Sequence, residues 1–309
     1  MAAERGISHA RHALGLLYGN GAPGVVKDEI EAVKWHALAA EQGHMESRYI
    51  LGRKLDLGEG VAKDQGEALE WYRKAAEQGH SGASYALGRK YAEGDGVAKD
   101  MPAALKWYRK AAEQGHSGAS YALGSKYAEG DGVVKDMVEA VAWYGKAAEQ
   151  GEPLAEFCLG FLYFNGVGIE KDLEEAVKWN RLAAEHGLPQ AQYLLGMMYH
   201  IGHGVDQNKE EALGWTLKAA ENGYPQAQHA IGTMRLNGVV LTRDYAKAKE
   251  WFSAAADQGL ADAQHSLGVI YQNGLGVAKD LGEAKKWFNL AAEQGFAAAV
   301  ETMERQAAE

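Results

Sequence analysis

The residues best equipped for chemistry in this chain of 309 residues are its 11 histidines, since imidazole titrates near neutrality and binds metals. His44, His80 and His116 recur at 36-residue intervals, each just after a glycine that ends a helix. One position repeated in successive modules argues for architecture, and there a cation would suit the carbonyl end of the helix. The "HIGH" segment, His200 to His203, places two histidines close together but supplies no third ligand. His229 and His265 occupy the same column of adjacent modules and would make half of a metal or proton site, with no nucleophile beside them. No G-x-S-x-G, Walker or H-E-x-x-H pattern occurs, and the Gly-Asp-Gly turns lack the ligand spacing of a calcium loop. Cys158 is the sole cysteine, which excludes an intrachain disulfide and a cysteine-built zinc site. The expectation is a chain with no catalytic residue, no metal and no cofactor.

The elements that position these side chains are written in a strict period. Gly43, Gly79, Gly115, Gly151, Gly187, Gly223, Gly259 and Gly295 are each 36 residues apart, and all 8 tryptophans, Trp35 to Trp287, fall in one column of that register. A fixed period of this size marks a solenoid, whose units bury their apolar faces only by stacking. Within His80–Gly115, Ala83, Leu87 and Tyr91 share one face of a first helix, A. Gly94 and Gly96 break it, Asp100 caps a second helix, B, and Gly115 stops it. Six of eight modules place Glu three residues after the cap, as in Asp28/Glu31 and Asp64/Glu67, the spacing of a capping box. Gly15, Gly52, Gly88, Gly124, Gly160, Gly196, Gly232 and Gly268 lie inside helix A, where each costs about 1 kcal/mol against alanine. The expected reason is close approach of a neighbouring helix, with buried tryptophan rings filling the space beside the glycines.

Composition narrows the classes further. With 47% hydrophobic and 24% charged residues and no run long enough for a membrane span, the chain reads as soluble. Its net charge of −10 opposes a nucleic-acid role, which needs clustered Lys and Arg. The amino terminus carries no signal-peptide pattern. "AAERG", Ala2–Gly6, matches the helix-ending "AAEQG" of later modules and reads as the end of a helix begun upstream. The expectation is a trimmed or partial array, cytoplasmic as written, and periplasmic or secreted if an export signal preceded it. The organisation expected is one solenoid domain over 1–309: a helix end at 1–6, eight helix pairs over 7–295, and a capping helix at 296–309.

The succession in Ala83–Gly115 of Ala, Leu-Gly, Tyr, Gly-x-Gly-Val, Asp, Trp and Ala-Ala before Gly resembles the Sel-one-like repeat, a relative of the tetratricopeptide repeat. The likeness covers residues 2–295. It implies an all-α, right-handed superhelix whose concave wall is lined by helix A, and a non-enzymatic adaptor or scaffold that holds another protein or a peptide. Some members inhibit one bacterial toxin, an alternative that implies a single tight partner. Cysteine-rich members are linked to β-lactam binding or hydrolysis. Cys158 alone does not match them and takes the core column of Ala86 and Ala122. Neither a membrane span nor a nucleic-acid partner is implied, and a monomer is assumed.

By that resemblance the helix A stripe faces the groove: Tyr49, Arg53; Tyr85, Arg89; Tyr121; Phe157, Phe161, Phe164; Tyr193, Met197, His200; His229; His265. Early modules offer Tyr and Arg to acidic groups, and later ones Phe, Tyr and Met as an apolar anchor. The bland reading packs these aromatics on the next helix A. Lys54, Lys90 and Lys126 stand where later modules have Leu162, Met198, Met234 and Ile270. They either snorkel to solvent along the core edge or add to a basic groove.

Overall fold

The computed structural model describes residues 6–308, with side chains to residue 305. The helix end expected at 2–5 lies outside them. Among the described residues there are seventeen helices and no strand. The chain forms two compact units, 1–155 and 156–309. The first contains α1 (Ser8–Asn20), α2 (Glu29–Glu41), α3 (Met45–Leu57), α4 (Gln65–Glu77), α5 (Ser81–Glu93), α6 (Met101–Glu113), α7 (Ser117–Glu129) and α8 (Met137–Ala148). The second takes α9 (Pro153–Asn165) from Glu156 onward, then α10 (Leu173–Glu185), α11 (Pro189–Ile201), α12 (Lys209–Glu221), α13 (Pro225–Asn237), α14 (Tyr245–Asp257), α15 (Ala261–Asn273), α16 (Leu281–Glu293) and α17 (Ala297–Ala308). Within each unit consecutive helices pack on one another, α9 meeting α10 through Gly160 and Asn180, so each is a run of helix pairs.

Local chemistry sets the boundaries. Asp64 accepts from the Glu67 backbone N–H and Asp172 from those of Glu174 and Glu175, satisfying donors that a helix start leaves free. The capping box is only half made. The N–H of Asp64, Asp100 and Asp172 donates to the carbonyls of Leu55, Tyr91 and Tyr163 in the paired helix A, so no glutamate is needed there. Glu67 and Glu175 instead accept from Trp71 Nε1 and Lys178 Nζ. Helix A ends in a left-handed glycine, as at Gly94 with φ 78°.

The glycines inside helix A do mark a close approach, but not to tryptophan. A Cβ at Gly88 would lie 2.5 Å from the ring of Tyr108, and one at Gly268 2.5 Å from that of Phe288. The facing column is the residue after each tryptophan: His36, Tyr72, Tyr108, Tyr144, Asn180, Thr216, Phe252 and Phe288. These eight are buried, whereas seven of the eight tryptophans are only partly so, Trp215 being the exception. The reason is angular. A helix advances 100° per residue, so the position that meets the glycine lies one step beyond the tryptophan, which covers the edge of the pair. Lysines lie across several of these indoles, with Lys74 Nζ 4.1 Å from the Trp71 ring centre and Lys218 Nζ 4.0 Å from that of Trp215.

Candidate functional site

In the first unit the stripe lines a cleft of about 360 Å³ between α3 and α5, with Tyr49, Arg53, Tyr85 and Arg89 all in its wall. The tyrosines are half-buried. Tyr49 stacks on His80 at 4.3 Å between ring centres, and Tyr85 on His116 at 4.5 Å. Arg89 is held by Glu93 on its own helix, while Arg53 is exposed with no ion pair among the described residues. Tyr121 sits 5.7 Å from Tyr144 and is half-buried.

In the second unit the stripe divides. Phe161 is 54% exposed on α9, whereas Phe157 and Phe164 pack against the core around Leu195 and Met198. Tyr193, Met197 and His200 come together in a cleft of about 420 Å³, whose wall also holds Thr216, Met234 and Val240. Tyr193 leans on Tyr224 at 5.5 Å, and burial raises its phenol pKa, so it stays a neutral hydrogen-bonding group. His229 and His265 do not form a pair. His229 Nε2 lies 3.1 Å from Ser266 Oγ, while His265 sits between Phe288 and Phe296. Burial lowers the pKa of both. Among the described residues no group of three or more His, Cys, Asp or Glu is arranged to hold a metal.

The other histidines act differently from the sequence reading. His44, His80 and His116 do not answer the helix behind them. Each caps the helix ahead, with Nδ1 accepting from the backbone N–H of Ser47, Ala83 and Ala119. That role requires an unprotonated Nδ1. In the first module two aromatic columns also become histidine, and a network results. Ser47 Oγ lies 2.9 Å from His12 Nδ1, 3.4 Å from His36 Nδ1 and 3.1 Å from His44 Nδ1. His44 Nδ1 is unprotonated because it accepts the Ser47 N–H, so the Ser47 hydroxyl can only donate to it, sharing that one lone pair, while Oγ accepts from the other two rings. One donor and two lone pairs are then used with all three imidazoles neutral.

The lysine column is charge-matched: Lys90 stands with Arg53 and Arg89 in the wall of the first-unit cleft, but Asp56, Glu93 and Asp95 line it too. Lys54 and Lys90 are buried, Lys54 paired with Glu29 and Lys90 with Asp56 and Asp95. Lys126 pairs with Asp131 at 2.7 Å. A buried ammonium without a partner would cost several kcal/mol, so each lysine is matched by a carboxylate from a loop or a neighbouring helix.

This helix-pair geometry agrees with the comparison to known families. The Sel1 repeat model matches eight times, over residues 8–44, 46–80, 81–116, 117–152, 153–188, 189–224, 225–260 and 261–296. The chain belongs to the Sel1 repeat family. Sel1 repeat proteins are in general protein-interaction scaffolds and typically non-enzymatic. Among solved structures, a protective antigen present in uropathogenic Escherichia coli strains, displaying an SLR fold, is 39% identical with a TM-score of 0.85. The match covers 96% of this chain and 64% of that one, so the chain spans just under two thirds of the antigen's length. A Sel1 repeat protein from Oxalobacter formigenes is 34% identical with a TM-score of 0.75, covering 98% and 88%. The immunity protein Pa5087 from Pseudomonas aeruginosa is 26% identical over 71% of this chain and 82% of its own, with a TM-score of 0.42, too loose a fit to transfer a role. No curated protein matches the chain. None of the described helices is long and apolar enough to cross a membrane.

The stripe names Tyr193, Met197 and His200 but misses the opposite wall of their cleft. Lys209, Thr216, Val239 and Val240 complete it. Two of these break columns that can be read in the sequence: Thr216 replaces a ring and Val240 a loop glycine.

Proposed function

We propose that this chain is a non-enzymatic scaffold whose helix A stripe receives a segment of a partner protein, with the second-unit cleft and Phe161 as the apolar anchor. The observation that carries this reading is the exposure of Phe161 at 54% and Met197 at 41% on consecutive A helices, since groups of exposed large apolar side chains usually mark interaction sites. The first-unit cleft adds a polar contact, where Arg53 is free to meet an acidic group between Tyr49 and Tyr85. Phe157 and Phe164 pack against the core and are not contact residues in this reading.

The test is affinity capture from the producing cells with the native chain and with a Phe161→Asp/Met197→Asp variant of equal helicity, followed by quantitative mass spectrometry. A protein retained only by the native chain is expected. Equal recovery of every bound protein by both would refute the stripe as the binding surface.

A further inference from the structure

Two departures from the repeat pattern meet in the second-unit cleft, and each removes something that the other modules use to close the same gap. The first is in the column facing the helix A glycine. His36, Tyr72, Tyr108, Tyr144, Phe252 and Phe288 set a ring against it, and Asn180 reaches into the same place. Thr216 also meets Gly196, with Oγ1 2.7 Å from where a Cβ would stand, but it has no ring beyond that hydroxyl, which is used on the Ala212 carbonyl at 2.8 Å. Both Gly196 and Thr216 line the cleft.

The second departure is in the loop. Gly60, Gly96, Gly132, Gly204 and Gly276 have φ between 70° and 77°. A Cβ on them would come within 2.1–2.6 Å of the first residue of the preceding helix B, respectively Glu29, Gln65, Met101, Leu173 and Tyr245. In the same register stands Val240 against Lys209, with φ 67°. It is a β-branched residue in a region such residues rarely enter, the only non-glycine with positive φ among the described residues. In that register a side chain stands where the glycine modules bring bare backbone against helix B, and Val240 and Lys209 both line the cleft. Strained residues of this kind gather at ligand sites.

The electrostatics are one-sided. No carboxylate lines the cleft, Lys209 and His200 are its basic side chains, and Lys209 has no ion pair among the described residues. Glu210 and Glu211 follow Lys209 but are not part of the wall.

We propose that this cleft is a socket for one side chain of a partner peptide: an aromatic ring takes the place beyond Thr216 that the longer side chains fill in other modules, and a carboxylate adjacent to it on the peptide pairs with Lys209. The inference rests on the scaffold reading above and specifies what its second-unit cleft recognises. The ring supplies the shape that six other modules build from their own sequence, and the carboxylate supplies the charge the wall lacks. Exposed Val239 and Met197 flank the entrance.

A probe with these two features and nothing else is 3-phenylpropionate, titrated into the full chain carrying 13C-methyl methionine and followed by NMR. Met197 and Met234 line the cleft and report occupancy directly. The expected result is saturable movement of these two methyl signals, absent in Thr216→Phe. Affinity should fall about five-fold in Lys209→Gln and with the neutral amide of the probe. Thr216→Phe is compatible with the fold because Phe252 and Phe288 fit against Gly232 and Gly268 in the same way. Unmoved Met197 and Met234 signals, or movement unchanged in Thr216→Phe, would overturn the socket. If the socket fails while Phe161→Asp/Met197→Asp still loses a partner protein, the scaffold reading stands without it.

Discussion

His36→Tyr should remove a large part of the pH dependence of the first module. His36 is 1% exposed, and burial together with His12, Lys54 and His44 disfavours its cation while Glu29 favours it. The balance lowers its pKa from 6.5 to about 4. A histidine depressed in the folded state binds its proton more readily when unfolded, so its contribution is present above pH 6.5 and is lost as pH falls toward 4. Between pH 7 and pH 5 the linkage amounts to about 2 kcal/mol, roughly thirty-fold in the opening equilibrium. His12 and His44 are lowered by burial and by neighbouring histidines, and they add a drop of the same sign. Tyrosine fits the site, since Tyr72 and Tyr108 occupy it in the next two modules against Gly52 and Gly88. The assay is hydrogen exchange of the α1–α3 amides at pH 7 and pH 5, corrected for intrinsic rates. The native chain should lose protection by at least the His36 share, and His36→Tyr by that share less. Equal pH dependence in the two proteins would mean that His36 does not carry it.

Other consequences can be measured as urea midpoints followed by circular dichroism. Gly88→Ala gains helix propensity but sets a Cβ 2.5 Å from the Tyr108 ring; a net loss of about 1–3 kcal/mol is expected, and a gain would deny the close approach. Lys90→Met leaves Asp56 and Asp95 without their buried partner and should cost about 3 kcal/mol. Asp56→Ala/Lys90→Met should recover most of that loss, as later modules carry apolar residues in the lysine column. Val240→Gly should stabilise by about 1 kcal/mol by relieving the positive φ; no change would mean the loop carries no strain there. Phe161→Ala, at a largely exposed position, should shift the midpoint by less than about 1 kcal/mol while weakening partner capture.

The fold was legible because each of its devices is spelled with a residue that has one physical use at that place. Glycine at the helix end takes positive φ, aspartate caps, and the period does the rest. What misled was angular detail. The tryptophan column is the most visible in the sequence, but its neighbour meets the glycine, and composition alone does not separate two adjacent positions on one helix. The histidines after the closing glycine could serve the helix behind or ahead; only the Nδ1 geometry at Ala83 and Ala119 decides for the one ahead. Lys90 read as misplaced because its carboxylates come from Asp56, 34 residues away, and from the loop residue Asp95. The candidate stripe brought Tyr49, Arg53, Tyr85 and Arg89 into one cleft and Tyr193, Met197 and His200 into another. It did not separate exposed Phe161 from packed Phe157 and Phe164, because spacing fixes a helix face and not the depth of what lies against it.

Photocrosslinking in living cells shows whether a partner protein lies along the helix A stripe. A benzophenone amino acid is placed singly at Met197, at Phe161, and at exposed Lys285 on α16, outside the stripe. One and the same protein adduct is expected from positions 197 and 161 and none from 285. Adducts from 285 alone, or none from either stripe position, would contradict that placement.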